Sequence, residues 1–450
     1  MNDSMFQLRD LLILPIILLV IYRTSYHVRV KYYKNSEIGK FLLPGITIKV
    51  IFTILLALMV EFVYGYGDLW TYYKHALMLN NILIERPEFM LDLIFKAYTD
   101  LPIEVQVLFP NDYLYRFSDS TAWIPRIALP FTFLSFGSYW GAGFVFSSFA
   151  FIGSWKLFRM FYELFPHLKK QFAIAILFFP SVGFWCSGIL KDSLGFGGIT
   201  LFVYAIYMVF IKREKIFFYA IIAIFSITIV TIVKGYIIFS ALPCAFIWIF
   251  LEVKSVVKKR QRKIFYAVSF LTLPIIFGVC FFLIQGSFAA NAYISDEVLT
   301  DIQMIQELYE GIEGQGSFVS IGKFDGTLSS LGLMAPASIF IVLFRPFIWE
   351  SSSFIMLLSA LESMVLTYLT LMVFWKYKFN LMAIIREIRK KPILIFCILF
   401  SLVFAVVVGI STSNFGTMSR YRVHGIPFYL ITLFLLLDAR KRKLLEVEQI

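Results

Sequence analysis

Charge is scarce in this sequence. Only 16% of its 450 residues are Asp, Glu, Lys or Arg, against roughly 25% in soluble domains. The chain is 60% hydrophobic and 18% aromatic, with a mean hydropathy of +0.80. That leaves too few polar side chains to cover a soluble surface. Cysteine is also sparse. Cys186, Cys244, Cys280 and Cys397 are scattered through apolar stretches, with neither metal-ligand spacing nor a disulfide framework. There is no phosphate-loop signature and no HExxH motif, which argues against an ATP-driven pump on one chain and against a zinc protease. No internal repeat is visible. Residues 1–22 are apolar, but no small-residue cleavage site follows, so no cleavable signal peptide is expected.

What the chain does contain is long apolar runs. Residues 8–22, 41–63, 139–158, 171–187, 194–211, 216–233, 236–252, 264–285, 352–375, 393–410 and 424–438 each approach the length of about 20 residues that a membrane-spanning helix needs. They predict an all-α, polytopic integral membrane protein, a single domain over 1–450 with about 11 (10–13) spans. Two further stretches, 127–137 and 332–348, are too short or too interrupted to count as spans.

Net charge is +12, but the basic residues sit in short loops, as the positive-inside rule requires, so nucleic acid is not an expected partner. The clusters at 23–40, 156–170, 212–215, 254–263, 376–391 and 440–443 belong on the cytoplasmic side, together with the C-terminus. Residues 65–120 instead carry eight acidic side chains against four basic, and residues 286–331 seven against one. This assigns two longer outer loops, 65–126 and 286–351. The second includes 332–348 as a re-entrant or interfacial segment, because a full crossing would put the next basic loop outside.

With that topology, five polar stretches gather on the outer side: "VYGYGDLWTYYKHA" at 63–76, "SGILKDS" at 187–193, "TIVKGY" around Lys234, "FRPFIWE" at 344–350 and "NFGTMSRYRVHGIPF" at 414–428. Their cations Lys191, Lys234, Arg345, Arg420 and Arg422 suit a phosphate-bearing headgroup. Arginine forks bind phosphate oxygens bidentately and lysine supplies a point charge. Asp68, just past a span on a Gly-rich turn, is the candidate general base toward a hydroxyl, and His424 a second acid–base candidate. Tyr72 is a candidate substrate-binding residue, since aromatics of the outer loops can stack on sugar rings. Asp192 and Ser193 are expected to cap the helix that follows Ser187–Gly188.

The stretch "GYGDLWTYYKHA" resembles the first outer loop of GT-C glycosyltransferases, where an acidic residue follows the crossing to the outer face. "FFPSVGFWCSGILKDSL" and "GTMSRYRVHGIPF" resemble segments of polytopic sugar transferases and O-antigen polymerase-like proteins of bacteria. Together these cover about a tenth of the chain. The GT-C resemblance implies Asp68 as base and the Arg and Lys groups as binders of a polyprenyl-phosphate donor. The polymerase resemblance implies that Arg420, Arg422 and His424 hold a pyrophosphate leaving group. Asp68 lacks the acidic neighbour usual in GT-C enzymes, so no cofactor is expected and a divalent metal is not supported. The expected partners are a polyprenyl-linked sugar, a glycan or lipid acceptor and membrane lipid, in the bacterial cytoplasmic membrane. Two other classes stay open: a transporter or flippase of a lipid-linked glycan, and a non-catalytic membrane subunit of an envelope or secretion complex.

Overall fold

A computed structural model of the chain describes residues 4–96, 100–109, 119–256, 328–412 and 414–448. These residues are overwhelmingly helical, with no β-strand among them. The principal helices are α1 (Asp10–Tyr33), α2 (Gly39–Met59, continued by a π-helical turn to Tyr64), α3 (Asp68–Glu85), α4 (Asp119–Leu134), α5 (Tyr139–Leu164), α6 (Pro180–Trp185), α7 (Lys191–Ile206), α8 (Ile216–Val256), α9 (Leu328–Phe344), α10 (Phe354–Lys376), α11 (Leu381–Arg389), α12 (Pro392–Ser411), α13 (Phe415–Tyr421) and α14 (Ile426–Glu448).

Local sequence accounts for many of the helix starts. Ser138 accepts from the Trp140 N–H at the head of α5, Ser353 from Met356 ahead of α10, and Asn380 from Ala383 ahead of α11. Pro180 and Pro392 occupy first helical positions, where their missing N–H costs nothing. Among the described residues, seven helices are long and apolar enough to cross a membrane, or eight if the bent pair Phe415–His424 and Ile426–Lys443 is one span. This fits a polytopic membrane protein and falls short of the expected eleven for specific reasons. The run at 171–187 is interrupted after a π-helical turn and again after Trp185. The runs at 216–233 and 236–252 join as α8, which leaves helical geometry only at Lys234. The run at 264–285 lies outside the described residues, as does 286–327 of the second expected loop. The remainder of that loop contains α9, a 17-residue apolar helix about 26 Å long.

The chain divides into two compact units. The first comprises residues 1–169, 176–202 and 224–235; the second comprises 170–175, 203–223 and 236–450.

In the first unit, α1, α2 and α5 pack together. At one end Ser138 donates to Asp10, and Arg9 reaches the Gly137 carbonyl at 2.8 Å. At the other end Lys169 pairs with Glu37. The basic loops at 23–40 and 156–170 therefore share an end, as their charges predict. The helices α3 and α4 form an antiparallel hairpin, with Tyr73 on Gly137 and Asn80 on Thr132.

In the second unit α9 lies along α12, where Ser338 packs against Gly409 so closely that a Cβ there would clash at 2.6 Å. Ser401 of α12 donates to the Gly425 carbonyl, and Tyr377 to the Leu436 carbonyl of α14. The basic clusters at 376–391 and 440–443 meet on Glu387, which accepts from Lys390 at 2.9 Å and Lys443 at 2.6 Å.

Burial alone would raise the Glu387 pKa, but the two ammonium donors outweigh it and hold the carboxyl below its ordinary value. A lowered carboxylate pKa contributes stability that is present above the unfolded value and lost as pH falls through the folded one. Replacing Glu387 with Gln is predicted to cost about 1–3 kcal/mol at pH 7. In thermal unfolding of detergent-solubilised protein, the difference from wild type should shrink below about pH 4.

Candidate functional site

The stretch from Pro180 to Phe202 is a broken helix inside the first unit. The helix α6 stops at Trp185, Gly188 adopts a left-handed φ of 69°, and α7 begins at Lys191. A Cβ at Gly188 would meet the Tyr139 hydroxyl at 2.5 Å, so both backbone and space require glycine. The non-helical residues 186–190 are buried. Backbone in that state needs partners from within the protein. Ser147 accepts from the Gly188 N–H at 2.8 Å and in turn receives the Thr53 hydroxyl at 2.7 Å. The Gly183 carbonyl accepts from Lys49 Nζ at 3.2 Å and from Ser187 at 2.6 Å.

The depth of these groups can be read from helix geometry. Ser147 lies eight residues into α5 and Lys49 ten residues into α2, about 12 and 15 Å from the respective helix starts. The break therefore sits part-way along the neighbouring helices α2 and α5, within the bundle.

Its charged residues are correspondingly enclosed. Asp192, in the first turn of α7, is 0% exposed, and Lys234 is 4% exposed. The Asp192 carboxylate accepts from Lys234 Nζ at 2.5 Å. Lys234 is the one residue of α8 outside helical backbone geometry (φ −153°, ψ 76°). Two expectations change here. Lys234 is not an outward cation on a tight turn, because it is buried against Asp192. Ser193 does not cap α7, because its hydroxyl donates back to the Gly188 carbonyl at 2.9 Å. Asp192 does occupy the first turn, where a carboxylate favours the helix N-terminus, and the partner 42 residues away adds to that role. Lys191 is half-buried and donates to Thr121 of α4 at 2.9 Å.

Asp68 is the exposed first residue of α3, immediately after the turn formed by Gly65 (φ 69°) and Gly67 (φ 126°). Tyr72 lies on the same helix but is buried in the apolar core with Leu69, Tyr73 and Ala76, which corrects its assignment as a sugar-stacking residue. Lys74 caps the Trp70 ring at 3.4 Å.

The second unit holds the other candidates. Arg422 is 1% exposed and spends its guanidinium on the protein itself: on the carbonyls of Val342 (3.2 Å), Arg345 (3.0 Å) and Ser359 (3.1 Å) and on the Ser363 hydroxyl (2.8 Å). Glu362 stands 3.9 Å away. Arg422 is thus a tie between the end of α9, α10 and the bent α13–α14 pair, which corrects its expected role as a phosphate ligand. Arg345 forks onto Glu350 and stacks on Phe415 at 4.9 Å. His424 is buried, with its ring against Phe404 and Nδ1 3.0 Å from the Tyr421 carbonyl. Arg420, in the last turn of α13, is half-buried.

The structure thus joins Asp192 to Lys234 and Arg345 to Arg422. Among the described residues, no group of three or more His, Cys, Asp or Glu side chains could hold a metal ion. Thr53, Ser147 and Glu350 were not anticipated; the hydroxyls within two apolar spans were the available signal for the first two. Comparison with protein-family models, with curated proteins and with solved structures finds no match.

Removing one charge of the buried pair leaves the other uncompensated, at a cost of about 3–5 kcal/mol, whereas an apolar pair of similar volume is often neutral. Asp192→Asn is therefore predicted to lower the thermal unfolding temperature in detergent more than the double replacement Asp192→Leu with Lys234→Met.

Proposed function

We propose that this protein is a multi-pass glycosyltransferase or polysaccharide polymerase of the bacterial cytoplasmic membrane. It moves a sugar from a polyprenyl-(pyro)phosphate donor to a glycan or lipid-linked acceptor at the outer face. The observation that carries this reading is the position of Asp68. It is an exposed carboxylate at the head of α3, four residues after Tyr64, where the α2 span ends, and directly after two positive-φ glycines. A base at a membrane–water boundary needs such access to an acceptor hydroxyl. Lys191 of the first unit retains partial exposure and serves as a phosphate-facing cation; Arg420, half-buried in the second unit, is a separate candidate for the same role. Lys234, Arg345 and Arg422, which are engaged with protein groups, support the scaffold.

A second reading is favoured by a different observation. The polar track through Lys49, Gly183, Ser147 and the Asp192–Lys234 pair lies deep inside apolar helices. Broken helices with buried charge are also how transporters build substrate sites. In that reading the chain moves a lipid-linked glycan across the membrane, and Asp68 is dispensable.

Expression of wild type, Asp68→Ala and Arg420→Ala separates the two. The transferase reading predicts that surface glycan falls by about 100-fold or more in Asp68→Ala and that lipid-linked precursor accumulates on the outer leaflet. Precursor confined to the inner leaflet in Lys49→Met, with normal glycan in Asp68→Ala, supports transport. Unchanged glycan in both Asp68→Ala and Arg420→Ala at normal protein levels rules the transferase reading out.

A further inference from the structure

The α3–α4 hairpin of the first unit carries a groove of about 790 Å³, within the usual range of roughly 300–1,000 Å³ for sites that take small amphiphilic ligands. Leu83 and Ile84 of α3 form one wall, and Trp123, Ile127 and Leu134 of α4 the other. Its lining is almost entirely apolar, and it lies open along one side. Around it Leu91, Phe95 and Leu134 remain 62–75% exposed. An apolar surface of this kind needs a cover, and for a membrane protein the bilayer provides it.

The lining carries one charged side chain. Arg126 lies on the lining with its guanidinium donating to the Lys96 carbonyl at 2.6 Å and resting 5.4 Å from the Trp123 ring centre. These contacts fix the guanidinium on the groove lining. An apolar groove with a fixed cation on its lining matches a molecule with a hydrocarbon chain and an anionic head.

We propose that this groove binds one acyl chain of an anionic glycerophospholipid, with its phosphate held by Arg126. The site is separate from Asp68 and from the broken helix, and it does not depend on sugar transfer. The lipid fixes the hairpin against the bilayer. An abundant anionic lipid suits an open groove better than a rare ligand would, because the groove is exposed along its length to whatever the leaflet contains.

The test uses the full chain in lipid nanodiscs and the fluorescence of Trp123, which lines the groove. The chain has eight tryptophans, so the Trp123 component is taken as the difference between wild type and Trp123→Phe. Brominated acyl chains quench tryptophan on contact. Brominated phosphatidylglycerol should quench the Trp123 component at about tenfold lower mole fraction than brominated phosphatidylcholine, the discrimination of one charge-assisted contact. Arg126→Gln should abolish the difference between the two lipids while leaving the remaining tryptophan emission unchanged. Equal quenching by both lipids in wild type would mean that the groove wall only touches bulk bilayer, and would overturn the proposal. So would absence of Trp123 quenching, or a lipid preference that survives Arg126→Gln. Each of these results leaves the transferase reading untouched, because that rests on glycan synthesis and on Asp68.

Discussion

A carboxylate and an ammonium withdrawn from water cost several kcal/mol each, and only close pairing with further hydrogen bonds offsets that cost. Asp192 and Lys234 meet under this constraint at the place where two helices depart from regularity. One begins just after a buried non-helical loop, and the other leaves helical geometry at Lys234 itself. Each irregularity supplies what the other lacks. The break presents a first-turn carboxylate, and the kink turns a lysine toward it. Ser147, Ser193, Ser187 and Lys49 then satisfy the carbonyls and N–H that the interrupted helix leaves open. Without these partners, non-helical backbone would not persist in an apolar bundle.

The second unit solves a related problem with different chemistry. There the chain bends by 63° between His424 and Ile426. Arg422, next to the bend, is matched mainly by backbone carbonyls and one hydroxyl, with Glu362 at longer range. A guanidinium has five donors in a fixed plane, so it can gather carbonyls from several helix ends at once. A lysine could not replace it. Both units therefore commit cations to their own architecture. Asp68, Lys191 and Arg420 keep solvent access.

Much of the fold was legible in the sequence because hydropathy and loop charge act over whole segments. The span ends and the pairing of basic loops at common ends follow from them. Asp68 was legible as well, since Gly-x-Gly-Asp ahead of an amphipathic run marks a turn and a helix start. Tyr72 was misassigned although its period was informative: Leu69, Tyr72, Tyr73 and Ala76 share one helical face, and all are buried. The two arginines of "RYR" look equivalent in sequence, yet positions two apart on a helix point to nearly opposite sides. The structure buries Arg422 and leaves Arg420 partly exposed. Lys234 was out of reach of linear reading. Charge statistics place an isolated cation at a span end, and the carboxylate that lets it stay inside lies 42 residues earlier in the chain.

The claim that this pair holds the broken helix together is tested most directly by native-state hydrogen exchange of the amides from Cys186 to Ser193, in wild type and in Lys234→Met. If the account is right, exchange in the variant rises by about 100-fold or more over this stretch, as a loss of about 3 kcal/mol or more of local stability requires. The amides of α1 and α5 should change much less. Exchange that is unchanged at 186–193, or that rises uniformly across the first unit, would contradict it.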